Sequence, residues 1–280
     1  MLFRSALYDE TITRIEMQDW YALKDPRQFY YSTYTLARAR QQETAEANFS
    51  FVETRGLADM LPDELRAIAL AVLVPLRHAA WGANQHNAFI CGYGFGTAFT
   101  QPCMYHAMDN LGIAQYLSRL GLLLADTDAL DAGKRAWLDD AAWQPLRRYV
   151  EDCLVVRDPF ELFVAQNLAL DGLLYPLVYE RIVDAHLSSR GGSAVAMLCQ
   201  FMNDWFDETR KWVDAVLKVA AAESAPNREV LAAWTRDWSG RAASALLPVV
   251  ELALGPEADA AVAEYVAALS ARIAKAGIPA

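Results

Sequence analysis

The sequence predicts an all-α protein: a ferritin-like helical bundle with additional N- and C-terminal helices. Three observations predict it. Strand-like alternation is almost absent, and proline, glycine and capping residues punctuate the chain at helix-length intervals. Met197, Leu198, Phe201, Met202, Trp205, Phe206, Trp212, Val213, Val216 and Leu217 also recur at three- and four-residue spacing, one apolar face over six turns.

The elements follow in order. Asp25-Pro26 offers an N-cap and a first-turn proline, and Gly56 closes the helix after Arg55, so one long helix carries Phe29, Tyr30, Tyr31 and Tyr34. A second helix opens at Leu61-Pro62-Asp63-Glu64 and runs to Asn87 or Cys91. A third covers Phe99 to Leu124, before the acidic stretch Asp126 to Asp131 breaks the pattern. A shorter helix spans Trp143 to Cys153, and Asp158-Pro159 opens another reaching Leu187, with a kink expected at Pro176. After the turn Ser188-Ser189-Arg190-Gly191-Gly192-Ser193 comes the striped helix of residues 194–222. Ala225-Pro226-Asn227 and Gly255-Pro256 then punctuate two more. The long helices pair as 62–91 with 99–124 and 159–187 with 194–222, joined by a long crossover. No Pro/Gly/Ser-rich linker divides the chain, so the reading is one domain over 1–280. Residues 1–56 form an N-terminal segment and helix, 57–222 the bundle core and 223–280 the C-terminal helices.

Composition narrows the function. The chain has 280 residues, 54% hydrophobic and 21% charged, enough to bury a large core. A formal charge of −10 with no block of Lys or Arg argues against nucleic acid and is explained by solubility alone. The first residues show no secretory signal, and the longest apolar run, Ala67 to Leu76, contains Pro75 and is too short to span a bilayer. A soluble cytoplasmic protein without a membrane role is expected. Cys91, Cys103, Cys153 and Cys199 include no CxxC spacing and read as free buried thiols.

A ferritin-like bundle raises the question of a di-iron centre, which needs Glu on two helices and Glu-x-x-His on the other two. Three residues before His78, His86, His106 and His186 stand Pro75, Ala83, Cys103 and Val183, so the motif is absent at every histidine. HExxH, P-loop and GxSxG motifs are absent as well. Gly92-Tyr93-Gly94-Phe95-Gly96 has no preceding strand and reads as a bend or a close helix approach. Asn167 and Asp171 fall on the apolar stripe of their helix and Glu208 on the Phe201–Trp205–Trp212 side, as a buried polar network would require. His106 reads as a core histidine. A set of Asp171, Glu208 and His106 binding a metal independently is the sharper alternative.

The stretches Trp20 to Tyr31 (WYALKDPRQFYY), Tyr34 to Gln42, LRHAAWGANQHN, MDNLGIAQYLSRLGLLL, ELFVAQNLALDGLLYPLVYERI and MNDWFDETRKWVDAVLKVAAAES resemble the β subunit of bacterial multicomponent phenol hydroxylases. The likeness runs from about Leu7 to the C terminus. Close relatives are the β subunits of toluene, alkene and methane monooxygenases. The resemblance implies a hydroxylase of two copies each of α, β and γ chains, with the di-iron centre in α. A separate reductase with FAD and Fe–S would supply electrons from NADH, alongside a regulatory protein.

Catalytic relatives carry Asp-Glu-x-Arg-His twice. The corresponding stretches here resemble Asp109-Asn110-Leu111-Gly112-Ile113 and Asp207-Glu208-Thr209-Arg210-Lys211, so the implied degenerate ligand positions are Asn110, Ile113, Glu208 and Lys211. Lys211 either snorkels to solvent or substitutes for lost metal charge beside buried carboxylates. The family's β subunits carry a longer N-terminal arm around α, and this chain begins near its expected end, which bears on docking strength.

The expectation is a non-catalytic β subunit with no cofactor of its own, scaffolding α while the complex converts phenol to catechol with O2. First candidates for the α interface are Trp20, Tyr21, Phe29, Tyr30, Tyr31 and Tyr34, with the exposed bundle faces. The alternatives are the β subunit of a toluene or alkene monooxygenase, an independent bundle metal enzyme, and a stand-alone binding module.

Overall fold

A computed structural model describes residues 9–279; the start of the resemblance at Leu7 lies outside them. Every regular element among the described residues is helical: α1 (Tyr31–Thr54), α2 (Asp63–Leu73), α3 (Leu76–Tyr93), α4 (Thr97–Asp139), α5 (Gln144–Cys153), α6 (residues 159–187), α7 (Ser193–Glu223), α8 (Ala225–Leu254) and α9 (Ala258–Lys275). The expected pairing is present. α3 packs along α4 and α6 along α7, while α8 and α9 cover α6 from outside.

Three boundaries differ from the sequence reading. Asp25-Pro26 starts a turn, not a helix. The Asp25 carboxylate accepts from the Arg27 backbone N–H at 2.9 Å and forks with its guanidinium, and Gln28 reverses the chain at φ 54°. α1 therefore begins at Tyr31, where Thr33 Oγ1 accepts the Tyr30 N–H, so Phe29 and Tyr30 precede the helix. The second expected helix is split at Val74-Pro75 into α2 and α3. The acidic stretch breaks α4 only at Ala125 and Asp126, and helix resumes to Asp139. Arg66 donates to the Leu124 carbonyl that this break leaves free, at 2.8 Å.

α6 is the central element. Asp158 caps it as expected, accepting from the N–H groups of Phe160 and Glu161. Its turns then widen to i→i+5 hydrogen bonding over Val164–Leu170 and again over Pro176–Leu187. Pro176 opens the second wide stretch with helical φ and ψ (−63°, −42°) instead of ending the helix. Widening shifts the preceding carbonyls, relieving the clash that a proline ring makes with a regular turn.

By length and apolar composition alone, Asp63–Tyr93 and Pro159–Arg190 each pass as candidate membrane spans, but the most apolar window of the second is 100% buried in the bundle, as a core helix should be. That of the first is 56% buried, leaving an apolar face uncovered. The glycine cluster makes the α3–α4 connection. Gly96 lies at φ 81° with Trp20 pressed against it, where an added Cβ would stand 2.9 Å from Trp20 Cβ. The four cysteines are free, Cys91 half-buried and the others buried.

Val74, at the α2–α3 break, is clamped against α4. A Cβ on Gly133 would stand 2.7 Å from Val74 Cγ1 and 3.4 Å from its backbone carbon. Gly133→Ala is expected to lower stability by ~1–3 kcal/mol through overpacking. Gly240→Ala in α8, which meets nothing within 4 Å, should be neutral or stabilising by up to ~1 kcal/mol. Urea midpoints of the two variants check the contrast.

His78, just past the break, stacks on Trp137 at 5.7 Å, and burial followed by the charges of Arg77 and Lys134 lowers its pKa to about 4. The unfolded chain takes up this proton first, so the contribution is intact above the ordinary histidine pKa of about 6.5 and is lost as pH falls from there toward 4. His78→Phe should flatten the urea midpoint between pH 6.5 and 4; an unchanged profile would contradict this.

Candidate functional site

Two polar clusters lie inside the helical framework. The first joins α1, α4 and α7. Arg38 of α1 forks onto Asp109 of α4, with Nε to Oδ1 and Nη2 to Oδ2 both at 2.7 Å. The same guanidinium reaches Glu208 of α7 at 2.9 and 3.2 Å. Asp109 also accepts the Tyr34 hydroxyl at 2.8 Å and the Trp205 indole N–H at 2.9 Å. Burial would push the Arg38 guanidinium down, but Asp109 and Glu208 outweigh it and hold its pKa above the ordinary range. Burial, then the negative charge of Asp109, pushes the Tyr34 phenol up, so it remains a donor. Arg27, forked on Asp25, approaches Glu208 at 3.4 Å and lies over the Trp212 ring at 4.9 Å.

The second cluster occupies the bundle centre. His86 Nε2 lies 3.0 Å from the Val150 carbonyl, and its Nδ1 lies 2.7 Å from Gln166 Oε1. The Gln166 amide donates to Asp171 Oδ1 at 2.8 Å, and His106 Nε2 lies 3.1 Å from Asp171 Oδ2. Residues five apart on a regular helix point roughly 140° away from each other at 3.6 residues per turn. The wide turn at Val164–Leu170 is what lets Gln166 meet Asp171. Beside this chain, Asn87 and Asn167 exchange reciprocal amide hydrogen bonds at 2.9 and 2.8 Å. His106 is held between the rings of Trp205 (4.8 Å) and Trp212 (5.5 Å).

Hydrogen-bond direction constrains the centre. The Val150 carbonyl only accepts, so His86 Nε2 carries a hydrogen. Its Nδ1 then faces an amide whose other end meets a carboxylate. Burial pushes the pKa of the His86 imidazole down, against the hydrogen bonds to Gln166 and the Val150 carbonyl, which raise it.

Each residue singled out from the sequence can now be located. Asn110 and Ile113 are buried and face the bundle centre, where they help line about 20 Å³ of open space, room for a single water. Glu208 is half-buried and held by Arg38 and Arg27, away from that centre. Of the two readings of Lys211, its exposure fits the side chain reaching solvent, and the cation beside buried Asp109 is Arg38.

His106 and Asp171 meet, but Glu208 does not join them, so the alternative metal set is not assembled. Among the described residues no three His, Cys, Asp or Glu side chains converge as a metal site. A di-iron centre does not fit here. Its four carboxylates are represented at the centre by Asp171, surrounded by amides, imidazoles and indoles.

Of the candidate interface aromatics, Tyr21, Tyr30 and Tyr31 are exposed. Trp20 and Tyr34 are instead buried in the chain's own core, Tyr34 stacked on Tyr105, and Phe29 is half-buried beneath Arg27 and Arg38.

The polar network predicted at Asn167 and Asp171 exists, but the sequence reading missed His86, Asn87 and Gln166 as their partners, and Arg38 altogether. The one available signal for Arg38 was its place a turn after Tyr34 on a face that ends in Phe49 and Val52.

The chain matches the family model described as Methane/Phenol/Alkene Hydroxylase over residues 3–224. It is 52% identical over 274 residues to the phenol 2-monooxygenase oxygenase component DmpL of Pseudomonas sp. (strain CF600), covering 97% of this chain and 82% of that protein. It is 21% identical to the toluene-4-monooxygenase hydroxylase component subunit beta of Ectopseudomonas mendocina, covering 84% and 74%. A chain of the xenon-pressurized phenol hydroxylase of Pseudomonas sp. OX1 superposes with a TM-score of 0.93 at 45% identity, covering 98% and 83%.

Arg38→Met leaves Asp109 buried beside no cation and is expected to cost about 3–5 kcal/mol. Adding Asp109→Asn should recover at least half of that loss. Chemical denaturation of both variants checks this, and additive losses would contradict the coupling.

Proposed function

The chain belongs to the methane/phenol/alkene hydroxylase family, and from that premise we propose that it is the non-catalytic β-type subunit of a multicomponent phenol hydroxylase. One observation carries the reading: the bundle centre, where a di-iron protein would place its ligands, is filled by the His86–Gln166–Asp171–His106 chain and the rings of Trp205 and Trp212. Those side chains bind one another. The chain's own residues therefore cross-link four helices with hydrogen bonds and aromatic packing where a catalytic relative would use metal.

A scaffold needs a surface for its partner, and the α3–α4 face has the required character. Trp81 of α3 and Met104, Met108, Leu111 and Leu122 of α4 are 38–54% exposed. The spacing along α4 places its four on one helical face. Trp81, Leu111 and Leu122 wall a groove of about 450 Å³. Exposed Met, Leu and Trp along two helices suit an obligate interface.

In this reading the iron-bearing α subunit packs on that face. The complex, with a small γ chain, a regulatory protein and an NADH-dependent reductase carrying FAD and Fe–S, hydroxylates phenol to catechol in the cytoplasm. The 52% identity to a phenol 2-monooxygenase component, against 21% to a toluene-4-monooxygenase subunit, favours the phenol branch.

The test is to produce the chain alone and together with the iron-binding chain of its own operon. The chain alone should hold less than a tenth of an equivalent of iron and no oxygenase activity, and should co-elute stoichiometrically with that partner. Stoichiometric iron or manganese with activity in the isolated chain would overturn the reading. Met108→Glu with Leu111→Glu should lower the co-eluting partner at least tenfold, while the unfolding free energy of the chain alone stays within about 0.5 kcal/mol of the parent.

A further inference from the structure

A second surface combines an apolar floor with a cationic rim. A groove of about 720 Å³ runs between α6, α7 and α9, with Gly172, Pro176, Phe206 and Leu269 forming an apolar floor. Its lining carries five cations against two carboxylates, in a chain whose formal charge is −10. Three of the chain's five lysines are here: Lys211 and Lys218 from α7 and Lys275 from α9. Arg272 is tied to Asp214 at 2.6 Å and Arg210 to Asp207 at 2.9 Å. The three lysines are exposed, and among the described residues none enters an ion pair.

We propose that this groove docks an acidic, amphipathic segment of a protein partner, held reversibly and separately from the α3–α4 interface. The proposal rests on the chain's acting within a complex.

Geometry selects the occupant. Lys211 and Lys218 stand seven residues apart on one helix, roughly 10 Å at 1.5 Å per residue, and Lys275 faces the groove from a different helix. A lone carboxylate or phosphate cannot span that separation. A helix or extended segment with acidic residues two turns apart can, while its apolar side rests on Phe206 and Leu269. A cationic rim over a modest apolar floor gives a fast, salt-sensitive contact, unlike the obligate apolar face.

The experiment uses the full chain and a fluorescent synthetic amphipathic peptide, Leu and Ala on one face and Glu on the other, with its Lys-for-Glu counterpart as control. The acidic peptide should bind, and its affinity should fall at least tenfold between 50 and 300 mM NaCl. Lys211→Glu/Lys218→Glu/Lys275→Glu should weaken it at least tenfold more, whereas Lys134→Glu, a surface lysine elsewhere, should not. No binding by the parent chain, an undiminished affinity in the triple variant, or an equal loss from Lys134→Glu would overturn the proposal. So would displacement of the peptide by decanoate at stoichiometric concentration, which marks a small-amphiphile site. Self-association abolished by the triple variant would likewise overturn it, by assigning the groove to a second copy.

In the assembled hydroxylase, the triple variant should raise at least fivefold the half-saturating concentration of one of the separately added protein components, at unchanged maximal rate and full co-elution of the iron-binding chain. Unchanged half-saturation for every component, with co-elution intact, counts against the groove alone. Failure of the parent chain to co-elute counts against the subunit reading, and the peptide titration still decides the groove.

Discussion

Arg38 is the interaction on which the arrangement of the outer helices depends. Asp109 on α4 is buried and Glu208 on α7 half-buried, on neighbouring helices and within reach of the same guanidinium. Two carboxylates so placed would repel one another in a medium of low dielectric. A planar fork set between them answers both at once, which a lysine could not do. Tyr34 and Trp205 complete the shell around Asp109, so four donor groups from two helices, α1 and α7, converge on one carboxylate of α4. α1 otherwise buries few side chains, Tyr34, Ala45, Phe49 and Val52, and this polar node fixes its register against the bundle. The contribution is to specificity of arrangement more than to net stability, because desolvating the charges offsets most of their attraction.

The bundle centre solves a related problem with a chain of hydrogen bonds. A polar chain runs from Val150 through His86, Gln166 and Asp171 to His106, each group bonded to the next, and it ends at His106 Nδ1, which is buried without a hydrogen-bond partner. The indole rings of Trp205 and Trp212 pack against His106 and restrict its plane. The helices facing one another there are thus tied crosswise by hydrogen bonds and ring packing, an organisation suited to a rigid support and unsuited to binding a pair of cations.

The helices were readable wherever the deciding chemistry was local. Asp158-Pro159, Ala225-Pro226-Asn227 and Gly255-Pro256 mark ends because a cap, a fixed φ or a left-handed residue acts within one turn. Asp25-Pro26 misled because its carboxylate bonds Arg27, two residues on, and so closes a turn before a helix can start. Asn167 and Asp171 stood out as polar positions on an apolar stripe. Their partners did not, because His86 lies 80 positions from Gln166 and Arg38 71 from Asp109, distances over which spacing along one helix carries no information. Trp20 and Tyr34 failed as surface aromatics for the same reason: what buries them, Gly96 and Tyr105, comes from a helix and turn far along the chain.

The wide turns of α6 have one more consequence. Each adds a residue to a revolution of the helix, so side chains beyond Leu170 sit rotated from where an unbroken α-helix would carry them, and those beyond Pro176 more so. A helix that spreads its residues over more of its circumference has little solvent side to spare, which agrees with the complete burial of its most apolar window. It also means that positions along α6 in related chains correspond by what they touch and not by how many residues separate them. A relative with one residue fewer in Val164–Leu170 would keep the same fold while presenting a different ring of side chains to the centre.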